Sequence, residues 1–267
     1  MKTLLVYLIC LSVHFLSHSQ PVSGQDSTEV DPVAVMILDR MSEVIGELHS
    51  CSYSLQTSYD MQDSSFFIPT RGLGLVKQFR EEEVYMVGPD KMLVNSNGDG
   101  GHKGYWYNGD TLTYYSYNEN NFASVDAPDS SILETIYTIH EDYGLDFPAA
   151  DFFNPYFTDD LLLQSDKVLY MGTSQLNGKD CFRIIAAGKT MNVQLWISDD
   201  ALTLPQKMVI VYLDQEDSPQ YEATFSDWQL NPDLPDVLFD FLPPPGASEI
   251  ILMPKNAKAF LNPSEDN

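Results

Sequence analysis

The side chains able to do chemistry in this chain are few and scattered. Beyond residue 25 the histidines are His49, His102 and His140, and the cysteines are Cys51 and Cys181. "IHEDYG" begins like the His-Glu-x-x-His helix of zinc hydrolases, but Gly144 stands where the second histidine belongs. "GTSQL" around Ser174 lacks the second glycine that a nucleophile elbow needs for its sharp turn. The acid pairs Asp159-Asp160 and Asp199-Asp200 carry the groups used in glycoside hydrolysis. Adjacency along the chain, however, does not set the roughly 5 to 9.5 Å separation that chemistry requires. "NSNGDGG" spaces Asn95, Asn97 and Asp99 like a calcium loop, yet starts with Asn and puts Trp106 where the bidentate Glu would lie. The same residues tolerate positive φ, so Asn95 to Gly101 is expected to be a hairpin turn. These readings point to a protein that is not an enzyme, with no cofactor and no metal site.

Charge narrows the partners. The chain has 14 Lys and Arg against 39 Asp and Glu, a formal net charge of −25. Nucleic acid is excluded, because its binding begins with clustered cations on phosphates. Purely electrostatic attraction to anionic lipid is disfavoured for the same reason. The start of the chain, Lys2, "LLVYLICLSVHFL" and "PVSGQ", has the three parts of a secretory signal, with cleavage expected after Gly24. No later stretch has the run of apolar residues that a membrane span needs. Export makes a disulfide permissible, so Cys51 and Cys181 are either bridged or two small buried thiols.

The elements that must position these residues are mostly strands. Residues 30–48 carry Ile and Met at helical spacing behind Asp31 as N-cap and Pro32 in the first turn. From Cys51 the period becomes two, with Tyr53, Leu55, Thr57 and Tyr59 alternating against serines and Gln56. Strands follow at "LGLVKQF", "EVYMVG", "KMLVNS", "GYWYN" and "TLTYYSY". A helix is expected in "DSSILETIYTIHEDYG", with Ser130 or Ser131 as cap and Glu134 as capping-box partner. Further strands come at "KVLYMGTSQLNGKDCFRIIAA", turning at Asn177-Gly178, then "MNVQLWIS", "LPQKMVIVYL" and "PQYEATFSDWQL".

The aromatic residues are dense around the second helix. Tyr105, Tyr107, Tyr114, Phe147, Phe152, Phe153, Tyr156 and Phe157 either fill a β core or line an apolar cavity under a helical cover.

The order of features in Tyr107–Ile250 resembles an uncharacterised family of predicted periplasmic proteins, grouped with the lipoprotein carriers LolA and LolB and the regulator RseB. The residues that carry the resemblance are Trp196 before an acidic turn, Pro205 entering the next strand, and the closing pattern of Phe239, Phe241, Pro243, Pro244, Gly246 and Ala247. The resemblance implies an α+β fold, a curved antiparallel half-barrel of about 10 or 11 strands, with an N-terminal helix and a helical insertion at about 129–163. With the signal peptide over 1–24 and an aperiodic, flexible tail over 254–267 read from the residues, it implies one LolA-like domain over 25–253. It further implies a soluble periplasmic binding protein for an acyl chain, lipid or lipidated polypeptide, or alternatively a sensor of RseB type whose ligand is a periplasmic protein.

Overall fold

The computed structural model describes residues 29–68, 72–127, 131–143 and 148–254. Residues 1–28, Phe147 and residues 255–267, where the expected export signal, one of the aromatic candidates and the expected tail fall, lie outside them.

In chain order the elements are β1 (Glu29–Val30), α1 (Pro32–Gly46), β2 (Ser50–Ile68), β3 (Gly72–Val87), β4 (Lys91–Gly98), β5 (Gly101–Tyr107), β6 (Thr111–Ser116) and β7 (Asn121–Asp126). The insertion follows as α2 (Ile132–Tyr143), a 3-10 helix at Pro148–Phe153 and α3 (Phe157–Gln164). The chain then returns through β8 (Lys167–Leu176), β9 (Lys179–Ala187), β10 (Met191–Ser198), β11 (Pro205–Tyr212), β12 (Gln220–Leu230) and β13 (Ser248–Glu249). All 13 strands form one open, curved sheet in the order β1-β8-β9-β10-β11-β12-β2-β3-β4-β5-β6-β7-β13. Neighbours pair antiparallel except at the two edges, where the two-residue strands β1 and β13 pair in parallel.

Local chemistry explains the anchor points. Asp31 accepts from the Val33 N–H at 2.8 Å and caps α1, which buries Ala34, Ile37, Leu38, Met41 and Ile45 on the sheet. Full burial of the Ile, Leu and Met side chains stabilises by about 1.5–3 kcal/mol each. In α2 the Ser131 hydroxyl accepts from the Glu134 N–H and donates to the Glu134 carboxylate, holding the first turn as the sequence indicates. Asn177 and Gly178 both take positive φ, 50° and 81°, and close the β8–β9 hairpin as a tight two-residue turn.

The stretch at Asn95–Gly101 is a hairpin, but only Asp99 and Gly100 form its turn. Asn95–Gly98 belongs to β4, and Gly98 pairs directly with Gly101. Asp99 is occupied by the neighbouring strand, its carboxylate accepting from the Phe79 N–H and its own N–H donating to the Phe79 carbonyl.

Two departures from the sequence reading stand out, and one of its open alternatives is settled. "LGLVKQF" and "EVYMVG" are a single strand, β3, running unbroken through Arg80 and Glu81–Glu83. β7 and the two edge strands bring the number to 13, above the 10 or 11 expected. Cys51 and Cys181 are both buried and unbridged. Cys51 shares the face of Tyr53 and Leu55, whereas Cys181 alternates with Phe182 and Ile184 and so faces the other side of the sheet. Four strand spacings, about 19 Å, separate β9 from β2, so no bridge can form.

Candidate functional site

The concave face carries the larger cluster of buried apolar residues. One row across the sheet runs Cys51, Met86, Met92, Tyr107, Leu112 and Val125; the next runs Tyr53, Val84, Val94, Tyr105 and Tyr114. Against these lie α1 and the insertion, whose Ile132, Ile139, Phe152, Phe157 and Leu161 join the same cluster.

The residues singled out in the sequence are distributed unequally. Tyr107 is fully buried, its hydroxyl donating to the Gly109 and Ala127 carbonyls at 3.4 and 3.3 Å. Tyr105 is buried and packs on half-buried Tyr114 with ring centroids 5.6 Å apart. Burial, reinforced by Tyr114, pushes the Tyr105 phenol up to about 12 and keeps it neutral. Phe152 is 1% exposed, meeting Phe157 at 4.9 Å and the edge of Phe225 at 5.5 Å. Phe153 stacks on Tyr53 at 6.0 Å, and Tyr53 in turn packs on Trp228 at 4.5 Å. Tyr156 departs from the set, being 66% exposed at the start of α3. Phe147 falls outside the described residues.

A polar patch interrupts the apolar rows where the next ones begin. Thr57 pairs with Arg80, and Glu82 with Ser96, all on the concave side. The Arg80 guanidinium lies over the Tyr59 ring at 5.4 Å and meets Glu82 Oε1 from Nε at 3.5 Å. Ser96 donates to Glu82. Burial raises the Glu82 carboxyl above its ordinary range, against the opposing pull of Arg80 and Ser96. Sequence reasoning took "FREEEV" for a break between strands and missed this patch. Continuing the alternation back from Met86 and Val84 would have turned Glu82 and Arg80 inward, with Glu81 and Glu83 outward.

The residues weighed for catalysis do not assemble. His49 precedes β2, His102 is in β5 stacked on Tyr117 at 3.8 Å, and His140 is on α2. Burial pushes the Cys51 thiol up to about 12, far from a nucleophile's range. Asp200 serves its turn, accepting from Ser198, Leu202 and Thr203, and Asp160 accepts from Asn154 within the insertion. Among the described residues no group of three or more His, Cys, Asp and Glu could hold a metal ion. No helix among them is long and apolar enough to cross a membrane.

The architecture is that of an open curved sheet with a helical cover on its concave face, the arrangement anticipated from the LolA-like resemblance. The family model described as "Predicted periplasmic protein (DUF2092)" matches residues 34–253, and the chain belongs to that family. No match is found among curated proteins. Among solved structures, an uncharacterized conserved protein from Thermus thermophilus is similar at 12% identity and TM-score 0.46, covering 82% of this chain and 99% of that one. LprF from Mycobacterium bovis is similar at 14% identity and TM-score 0.43, covering 77% and 97%. The LolA superfamily protein NE2245 from Nitrosomonas europaea is similar at 12% identity and TM-score 0.34, covering 78% and 97%. These scores carry no assignment of task, which has to come from the chain's own geometry.

Proposed function

We propose that this protein is an exported, non-catalytic binding protein that holds an acyl chain, lipid or lipidated polypeptide between the concave face and the insertion. In this reading an export signal is removed after Gly24, one domain spans 25–253, residues 254–267 trail from it, and the mature protein is soluble in the periplasm. The observation that carries it is the manner in which the insertion is held. Phe152 and Phe153 bring it onto the sheet through ring packing on Phe225 and Tyr53, with Phe157 packed on Phe152. At that junction the Ile132 N–H donates to the Pro89 carbonyl at 2.8 Å, and the Ser42 and Thr158 hydroxyls lie 3.3 Å apart. A cover held by apolar packing can lift without breaking the sheet's ladder, and an acyl chain then takes the place of its rings.

The test is uptake of a fluorescent fatty acid. Phe153→Asp should abolish uptake at moderate cost to stability, because Phe153 is only half-buried in the cover. Loss of stability in that variant together with no uptake by the wild type would reject the reading.

A second reading, a periplasmic protein as the main ligand, draws on a different feature. β12 pairs with β2 only as far as Tyr59, and β4 with β3 only as far as Arg80. Beyond these points β2 and β3 continue as a two-stranded ribbon with Met61 and Phe79 exposed at 46% and 61%. Such a ribbon offers unpaired strand edges for a partner. Native mass spectrometry of protein purified from a Gram-negative periplasm separates the readings: retained lipid favours the carrier, and a retained protein lost on shortening the ribbon favours the partner.

A further inference from the structure

We propose that the polar patch around Arg80 receives the anionic head of the bound amphiphile, an acyl chain ending in a carboxylate or phosphate, while the apolar rows beside it take the chain. The inference rests on the carrier reading above and specifies its ligand.

Three observations carry it. First, the patch contains polar groups that the fold buries and leaves unmatched. Arg80 Nε and Thr57 Oγ1 are both buried with no hydrogen-bond partner among the described residues, although Thr57 and Arg80 pair across β2 and β3. Buried polar atoms are nearly always satisfied, so two orphans side by side call for a missing partner. An anionic oxygen supplies both bonds at once, accepting from the guanidinium and from the hydroxyl.

Second, the carboxylate already present does not complete the guanidinium. Glu82 Oε1 stands 3.5 Å from Nε, longer than a well-formed N–H···O bond, and it is also engaged by Ser96. The guanidinium is kept in place from below by the Tyr59 ring, a pre-organised posture for a planar anion. In a chain with 39 acidic residues against 14 basic ones, a cation directed into the concave face runs against the general charge.

Third, the patch lies at one end of an apolar track. From Arg80 the inward-facing residues of β3 continue past Glu82 to Val84 and Met86, flanked by Leu55, Val94, Tyr105 and Met92. Six residues of strand span about 20 Å, the length of a long acyl chain. The head then sits at the ribbon end of the sheet and the tail beneath α2, whose Ile132 is tied to Pro89 beyond Met86.

The experiment is displacement of a neutral naphthylamine dye from the purified protein by hexadecanoate, by hexadecanol and by a lysophosphatidate of the same chain length. The wild type should release dye at about tenfold lower concentration of hexadecanoate than of hexadecanol, the worth of one charge-assisted hydrogen bond. Arg80→Met should bring the hexadecanoate-to-hexadecanol ratio to about one, its fold checked separately by far-UV circular dichroism and the urea midpoint. Arg80→Lys should retain part of it. The ratio of lysophosphatidate to hexadecanoate tells a phosphate head from a carboxylate. Equal displacement by acid and alcohol in the wild type, or an undiminished preference in Arg80→Met, overturns this inference and leaves the carrier reading intact. Failure of dye and of every amphiphile to bind overturns both.

Discussion

The two faces of the sheet are covered by different means. On the concave face the insertion rests on aromatic and aliphatic packing, with Phe153 against Tyr53, Phe152 against Phe225 and Phe157 behind Phe152. On the convex face the chain after β12 lies as a strap. Phe241 packs on Trp106, Tyr115 and Phe122 at 5.0, 5.5 and 5.3 Å, and Phe239 is 1% exposed. The strap is also bonded along its length. Asn231 N–H donates to Ser50 O, Lys91 pairs with Asp236 at 2.6 Å, Asn108 donates to Asp240, and Ser248 and Ile250 donate to Asn120 and Phe122. Removing the strap breaks backbone hydrogen bonds that would have to be remade with water, whereas lifting the insertion mainly separates apolar surfaces. The convex side is therefore built to stay closed and the concave side to open.

Substitutions on the two faces put that contrast at risk. The largest effect is expected for Phe225→Ala, since Phe225 is 3% exposed and touches Tyr53, Phe152 and Trp228. The loss should be about 3–5 kcal/mol in urea unfolding. Phe241→Ala on the strap should cost about 2 kcal/mol, less because the ring is half-buried, and should leave amphiphile binding unchanged. An equal loss of binding would show that the two faces are not independent.

A smaller, pH-dependent effect is expected at Glu82. Its native carboxyl is raised above the ordinary 4.5. The native state therefore holds the proton more tightly than the unfolded chain. This group's stabilisation is complete below 4.5 and is lost as pH rises through its native value. Glu82→Gln should flatten that decline, read as the wild-type minus variant difference in urea midpoint between about pH 5 and about pH 7. The smallest effect belongs to Thr135 on α2, fully buried with a hydroxyl that has no partner among the described residues. Thr135→Val should stabilise by up to about 1 kcal/mol, because it removes an unsatisfied polar atom at nearly constant volume. A loss of stability there would show that the hydroxyl is matched in solution.

Local chemistry made part of this legible in the sequence. Asp31, the Ser131–Glu134 pair and Asn177-Gly178 act within a few residues of themselves, and each helix start or turn lies where those residues indicate. Of the aromatic residues in the insertion, Phe152, Phe153 and Phe157 pack inward whereas Tyr156 is exposed, a division that residue type alone does not give. What the sequence hid depends on partners far along the chain. β1 and β13 are strands only because β8 and β7 lie beside them. β3 passes through four successive charges because Arg80 and Glu82 meet inside and Glu81 and Glu83 turn outward, a pattern masked by the polarity of the run as a whole. The disulfide question turned on face, and face followed from register, with Cys181 falling on the opposite side from Cys51.

Whether the insertion opens to admit a ligand can be decided by locking it. Ser42 on α1 and Thr158 on α3 approach to 3.3 Å, so Ser42→Cys with Thr158→Cys places a reversible bridge across the junction. Both native thiols are buried and stay out of the exchange. Delipidated double variant should take up a fluorescent fatty acid when reduced and fail to do so when oxidised, with uptake restored on reduction. Uptake that is the same in the bridged and reduced forms, or absent in both, would contradict an opening cover.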